Sequence, residues 1–165
     1  MGSLPEVLRL FARYNRLANE RLYDARAALS DEERRRDRRG FFRSIHGTLN
    51  HILLGDRNWL ARFRGGEAPS TGLDAILYED FAELRAARAM EDDRLEDFVR
   101  DATPAFLEGS IRYVNNQGRT LEDPTDLLVL HLFNHQTHHR GQVHDMLSQV
   151  GATTPVLDMH RVIRP

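Results

Sequence analysis

Residues 123–151 read DPTDLLVLHLFNHQTHHRGQVHDMLSQVG, and this stretch decides the fold. Asp123 and Pro124 offer a helix cap and a proline at the first helical position, where its missing N–H is no loss. Leu127, Leu128, Leu130, Phe133 and Val143 follow at helical spacing up to Val150, and Gly151 offers a stop. The spacing predicts one long helix. It carries His131, His135, His138, His139 and His144. Residues four apart on a helix are turned by only about 40°, with Cβ atoms roughly 5–6 Å apart, so His135 and His139 can aim at one ion. His138 is turned about 100° from His139 and His144 about 140°, which makes both poor co-ligands. His131 continues the His135 stripe, but one ion does not readily collect three ligands along two helical turns.

Working outward, three more segments have helical periodicity. The first runs from Pro5 to Leu29, with Val7, Leu10, Phe11, Tyr14, Leu17, Ala18, Leu22 and Ala25 as its apolar stripe. The second starts at the cap Ser44, carries Ile45, Leu49, Ile52, Leu53, Trp59 and Leu60, and stops at Gly65-Gly66. The third begins at Asp74 or Asp80 and ends near Asp101, with Phe81, Leu84, Ala87, Leu95, Phe98 and Val99 buried and charged residues on the rest of its surface. Thr103-Pro104 closes it. Ile111 to Val114 and Arg119 to Leu121 flank the turn residues Asn115 to Gly118 and read as a small β-hairpin. No repeat or linker divides the chain. The expectation is a single all-α domain over residues 1–165, an up-and-down four-helix bundle with a small β-hairpin before the last long helix.

The composition narrows the chemistry. With 165 residues, 41% hydrophobic and 29% charged, the chain can bury a core without staples. It contains no cysteine, which excludes disulfides, thiolate ligands and a cysteine nucleophile and leaves histidine and carboxylate to bind any metal. The net charge is −2, and the longest basic run, Arg34 to Arg39, is broken by Asp37 and reads as a solvated connector. No nucleic-acid partner is expected. There is no apolar signal region at the N-terminus and no apolar run near the roughly 20 residues of a membrane helix, so no membrane partner and a cytoplasmic location are expected.

A histidine pair alone is more often structural than functional, and a third ligand from another helix changes that balance. His51 is the best candidate, because it sits mid-helix among Leu49, Ile52, Leu53 and Leu54 and needs partners for its nitrogens. His46 faces about 140° away from it and is expected at the cap or surface.

Leu49-Asn50-His51-Ile52-Leu53-Leu54-Gly55-Asp56-Arg57-Asn58-Trp59-Leu60 resembles the second-helix motif of DinB/YfiT-like proteins, with its histidine, acidic residue and tryptophan. Asn134 to Gln142, a histidine pair spaced by four and followed by Arg-Gly-Gln, is similar to that family's later-helix motif. Tyr14-Asn15, Asn19 to Leu22, Pro155 and Asp158 also match. The resemblance implies a four-helix bundle, frequently a homodimer, with one divalent metal ion per chain, often zinc or nickel, on three histidines. Carried over by position, these are His51, His135 and His139, the trio that helix geometry also reaches. The roles of His131, His138, His144 and His160 stay open.

Three neutral imidazoles leave a dication its full charge and an open coordination position, whereas structural zinc is usually closed by four protein ligands. Such an ion lowers the pKa of bound water toward roughly 7, or holds a thiolate. The wider family includes thiol-dependent transferases, so the resemblance implies a thiol S-transferase acting on a small molecule with a low-molecular-weight thiol. Metal-dependent hydrolysis is an alternative that requires a carboxylate base, with Glu20 or Asp56 as candidates. A non-catalytic metal-binding stress protein is the other. Around the ion, Arg140 is a candidate for an anionic substrate group, and Gln142 for a contact to metal-bound water or the next helix. Asp56 would be an acceptor behind a ligand histidine or a salt-bridge partner. Gly141 would allow close helix approach or leave room by the ion, and Trp59 and Tyr14 are expected in the core.

Overall fold

The Ser3 N–H donates to the Glu6 carboxylate at 2.6 Å, the return half of a capping box, and opens α1 (Leu4–Ala27). The computed structural model describes residues 2–68 and 71–165. Ser30 caps α2 (Asp31–Arg35) by accepting the Glu33 N–H. Ser44 caps α3 (Ile45–Phe63) through Gly47, and Asp80 caps α4 (Phe81–Asp101) through Glu83, which decides between the two expected starts of that helix. A single turn, α5 (Pro104–Leu107), leads into β1 (Ser110–Val114) and β2 (Thr120–Pro124), an antiparallel pair with Ser110 opposite Pro124. The last long helix is α6 (Thr125–Gln149), and α7 (Met159–Ile163) follows. The helix α1 packs against α4 and α6, and α3 packs against the same two.

Two expected features are corrected here. Asp123 does not cap α6 and Pro124 is not its first helical residue: Asp123 lies in β2 with its carboxylate accepting the Tyr113 hydroxyl at 2.9 Å, and Pro124 takes the N-cap position, where no side chain caps the helix. The Arg34 to Arg39 run is mostly exposed, as a solvated connector should be, but it is partly helical and anchored at two points. Its first two arginines belong to α2, the Arg34 guanidinium lies 4.5 Å from the Phe81 ring centre, and Arg38 donates to the Glu33 carboxylate at 2.9 Å. The C-terminal stop of α6 is as read. Gly151 takes φ +68°, and the N–H groups of Gly151 and Ala152 close back on Ser148 and Leu147, a Schellman pattern.

The apolar core forms two clusters, one around Leu60, Phe63, Leu95, Leu132 and Phe133, the other around Leu22, Ile45, Leu53, Leu84 and Leu147. On each of the four long helices a buried polar layer lies between them. Arg88 contacts Asp56 at 2.5 Å and Asp92 at 3.0 Å, and Asp92 accepts from Asn15 and Asn19. Arg140 donates to Asn15 and Gln136, and Gln136 returns to Asp56, which closes the ring. Two carboxylates and two guanidiniums make the layer formally neutral. It also rephases α1, whose buried face is Leu8, Ala12, Asn15, Ala18, Asn19, Leu22 and Arg26, while Leu10 is 43% exposed. A stripe read from apolar residues misses a buried face built partly from asparagine and arginine. On α4 Arg88 and Asp92 of this layer, and Glu91 beside Arg57 and Arg94, are buried, where charged residues were expected to face solvent.

Candidate metal centre

One stripe of α3 (His51, Gly55, Trp59 and Arg62) faces one stripe of α6 (His131, His135, His138, His139 and Gln142) across a cavity of about 520 Å³. The pairing of low numbers on one helix with high numbers on the other shows that the two run antiparallel. At one end the rings of His51, His135 and His139 converge. Their centroids lie 5.0, 4.6 and 4.4 Å apart, and one ring nitrogen from each falls within 4.8 Å of the others.

Hydrogen bonds set the tautomers. The Leu73 carbonyl lies 2.8 Å from His51 Nδ1 and can only accept, so the proton sits on Nδ1 and Nε2 presents its lone pair. Gln142 Oε1 does the same for His139 Nδ1 at 2.8 Å, and the amide nitrogen of Gln142 reaches His138. His51 Nε2 and His135 Nε2 stand 3.0 Å apart, a pair of ring nitrogens that must share either a proton or a cation. Tetrahedral ligands at 2.0–2.1 Å from an ion would be separated by roughly 3.3 Å, so this pair needs little adjustment. Burial, with His139 and His51 adding to it, pushes His135 down to about 3. Burial pushes His51 down to about 4 against the Leu73 carbonyl, and lowers His139 against Gln142. All three favour the neutral imidazole that binds metal. The donor set therefore fits a divalent N-ligated ion.

Two residues that the sequence reading did not single out shape this end. The Phe42 ring stacks on His51 at 3.7 Å with 16° between planes. It is delivered by a tight loop in which Arg39 and Arg43 adopt φ of 60° and 63°, a conformation that costs a residue with a Cβ roughly 1–3 kcal/mol and that clusters at functional sites. Gly55 is the second. A Cβ there would lie 2.8 Å from His135 Cε1, so the ring occupies space that only glycine leaves open. Gly141 supplies neither a close helix approach nor room by the ion, since nothing lies within 4 Å of a Cβ built there. We expect Gly55→Ala to change the stability of the metal-free protein by no more than about 1–2 kcal/mol, since the roughly 1 kcal/mol that alanine gains in a helix interior offsets part of the cost of moving the ring. Displacement of His135 should weaken zinc binding roughly 10- to 100-fold, the range seen when ligand support is lost. A chelator competition titration beside a urea melt reads both; unchanged affinity would show that the ring has other room.

The remaining candidates fall elsewhere. Arg140 is 2% exposed, donates to Asn15, Gln136 and Thr137, and does not line the histidine cavity, so it cannot meet a substrate there. Asp56 is fully buried against Arg88 and Gln136 and supports no ligand histidine. Glu20 is exposed on α1, outside the cavity. His46 is buried, not superficial, with Nε2 2.8 Å from the Tyr78 carbonyl. His144 meets the Pro155 carbonyl at 3.1 Å, and His160 is exposed on α7. His131 lines the cavity with its ring edge against Trp59. Trp59 packs on the core and also forms the cavity wall, whereas Tyr14 is buried and donates to the Leu157 carbonyl at 2.8 Å. Gly55 was within reach of the sequence, being a glycine four residues after His51; the Leu73 carbonyl had no signal.

Comparison with known proteins agrees with the geometry. The chain is 29% identical over 155 residues to Protein DinB of Bacillus subtilis (strain 168), covering 88% of this chain and 87% of that protein. A crystal structure of a DinB-like protein from Bacillus cereus ATCC 10987 superposes with a TM-score of 0.59 at 19% identity, over 84% of this chain and 89% of the other, which supports the fold. The DinB family model matches residues 4–165, nearly the whole chain, and the protein belongs to the DinB family.

Proposed function

We propose that this protein is a metal-dependent enzyme of the thiol S-transferase type, holding one zinc or nickel ion on His51, His135 and His139. One observation carries the reading: three imidazoles from two helices converge at the end of an open cavity, and among the described residues no fourth side chain joins the set. A divalent ion there supplies Lewis acidity at a free coordination position, lowering the pKa of a thiol placed on it. The chain's own groups do the rest. Leu73 and Gln142 hold the proton on the outward nitrogen of two ligands, while Phe42 and Trp59 give the cavity an apolar aromatic wall. Among the described residues no aspartate or glutamate lines the cavity, so hydrolysis lacks its carboxylate base and a thiol nucleophile is favoured. The reading includes a cytoplasmic homodimer acting on a small molecule with a low-molecular-weight thiol, as the family resemblance suggests.

The test is transfer of small thiols to a chromogenic electrophile by protein loaded with one equivalent of zinc or nickel, against chelated protein. A rate above the uncatalysed reaction that follows metal occupancy is expected. Full loading with no acceleration across a broad thiol panel would leave a non-catalytic metal-binding protein instead.

A further inference from the structure

The cavity has a second end. Arg62 lies eleven residues beyond His51 on the same face of α3, about 16 Å along the helix at 1.5 Å per residue. Its guanidinium is held flat, 4.8 Å from the Trp59 ring centre and 5.1 Å from that of Tyr113. Nη2 donates to the Val114 carbonyl and the Asn116 side-chain oxygen, both at 3.2 Å, and both acceptors are neutral. Nε is buried without a partner, and Nη1 makes no hydrogen bond among the described residues. Arg62 also has no carboxylate within ion-pair distance among them, although this chain pairs Arg16, Arg35, Arg57, Arg88 and Arg100 with acids. Between the two ends the wall is aromatic, with Phe42 and Trp59 lining it and Phe41, 82% exposed, at its rim.

We propose that Arg62 is a carboxylate-binding subsite, and that the cavity takes an elongated molecule with an anionic group at this end, an apolar body along the aromatic wall and a thiol at the histidine end. The guanidinium packs against both rings, and its Nη1, which has no partner among the described residues, can donate charge-assisted hydrogen bonds to a carboxylate. The hairpin supplies the anchor: Tyr113, Val114 and Asn116 all belong to β1 or its turn, so the insertion before α6 builds the far wall of the site. The proposal rests on the functional reading above only for the thiol end.

The probes are ω-mercapto acids of three to eleven carbons and their neutral carboxamides, titrated into metal-free and cobalt-loaded protein. Trp59 is the chain's one tryptophan, so its fluorescence reports the Arg62 end, and the thiolate-to-cobalt absorption band reports the other. An acid of matching length should bind metal-free protein at least tenfold tighter than its amide. Arg62→Met should abolish that preference and Arg62→Lys should retain part of it. Equal affinity of acid and amide in the unaltered protein, at every length, overturns the subsite, and so does a preference that survives in Arg62→Met. If Arg62→Met does not fold, the acid-to-amide comparison in the unaltered protein decides alone. The acid preference without any thiolate band supports the subsite and sinks the metal-thiol reading. A band with every thiol and no acid preference does the reverse.

Discussion

Arg88→Met is expected to lower the free energy of unfolding by about 3–5 kcal/mol at pH 8, the cost of leaving buried charge without its partner. Arg88 is the cation shared by Asp56 and Asp92, and all three side chains are 3% exposed or less. Methionine keeps much of the volume, so the loss is electrostatic more than a packing defect. Burial already pushes both carboxyls upward, with Arg88 opposing it; Asp56 stands at about 7 with the guanidinium in place. Without Arg88 both must rise further. A carboxyl whose folded pKa lies above its unfolded value contributes stability below the unfolded pKa and loses it as pH rises through the folded one. The deficit of the variant should therefore shrink at pH 5 and grow by pH 8. Urea melts of both proteins in chelator, at the two pH values, measure this. A deficit under about 1 kcal/mol at pH 8 would mean that the ring through α1, α3, α4 and α6 does not carry the packing ascribed to it.

His135→Ala is expected to weaken zinc binding at least 100-fold, more than the roughly 10- to 100-fold that follows loss of a supporting contact. Its Nε2 faces His51 Nε2 at 3.0 Å, and its ring sits against both other imidazoles. Stability of the metal-free protein should change far less. His135 Nδ1 is buried without a partner, so alanine removes an unsatisfied group as well as apolar contact. His131→Ala and His138→Ala serve as the comparison, because both line the cavity outside the trio and should stay within about threefold of the unaltered affinity. A chelator competition assay on the three variants reads the difference. Equal losses in all three would indicate diffuse binding along a histidine-rich helix, with no single centre.

Much of this site was legible in the chain. Helical rotation alone pairs His135 with His139, and the apolar surroundings of His51 make it the natural third. The buried partners were less legible. Arg140 reads as a cation for a substrate, Asp56 as an acceptor behind a ligand histidine or a salt-bridge partner, Arg88 as one of the charges on the outer face of its helix, and Gly141 as the glycine that allows close approach or makes space, because each reading depends on which helix lies opposite. Phe42 and Arg62 were passed over for the same reason: one reaches the site through a loop with two left-handed residues, the other through a hairpin more than fifty residues away.

What the chain determines by itself is local: roughly where the long helices run, that a hairpin precedes the last of them, and which imidazoles share a helical face. These follow from hydrogen bonds and rotations spanning a few residues. The register of α3 against α6 and of α1 against α4 is set by packing across the whole molecule. Only that register turns Asp56 and Arg140 inward to each other's network, fits His135 over Gly55, and leaves Arg62 without a carboxylate partner among the described residues at the far end of the cavity.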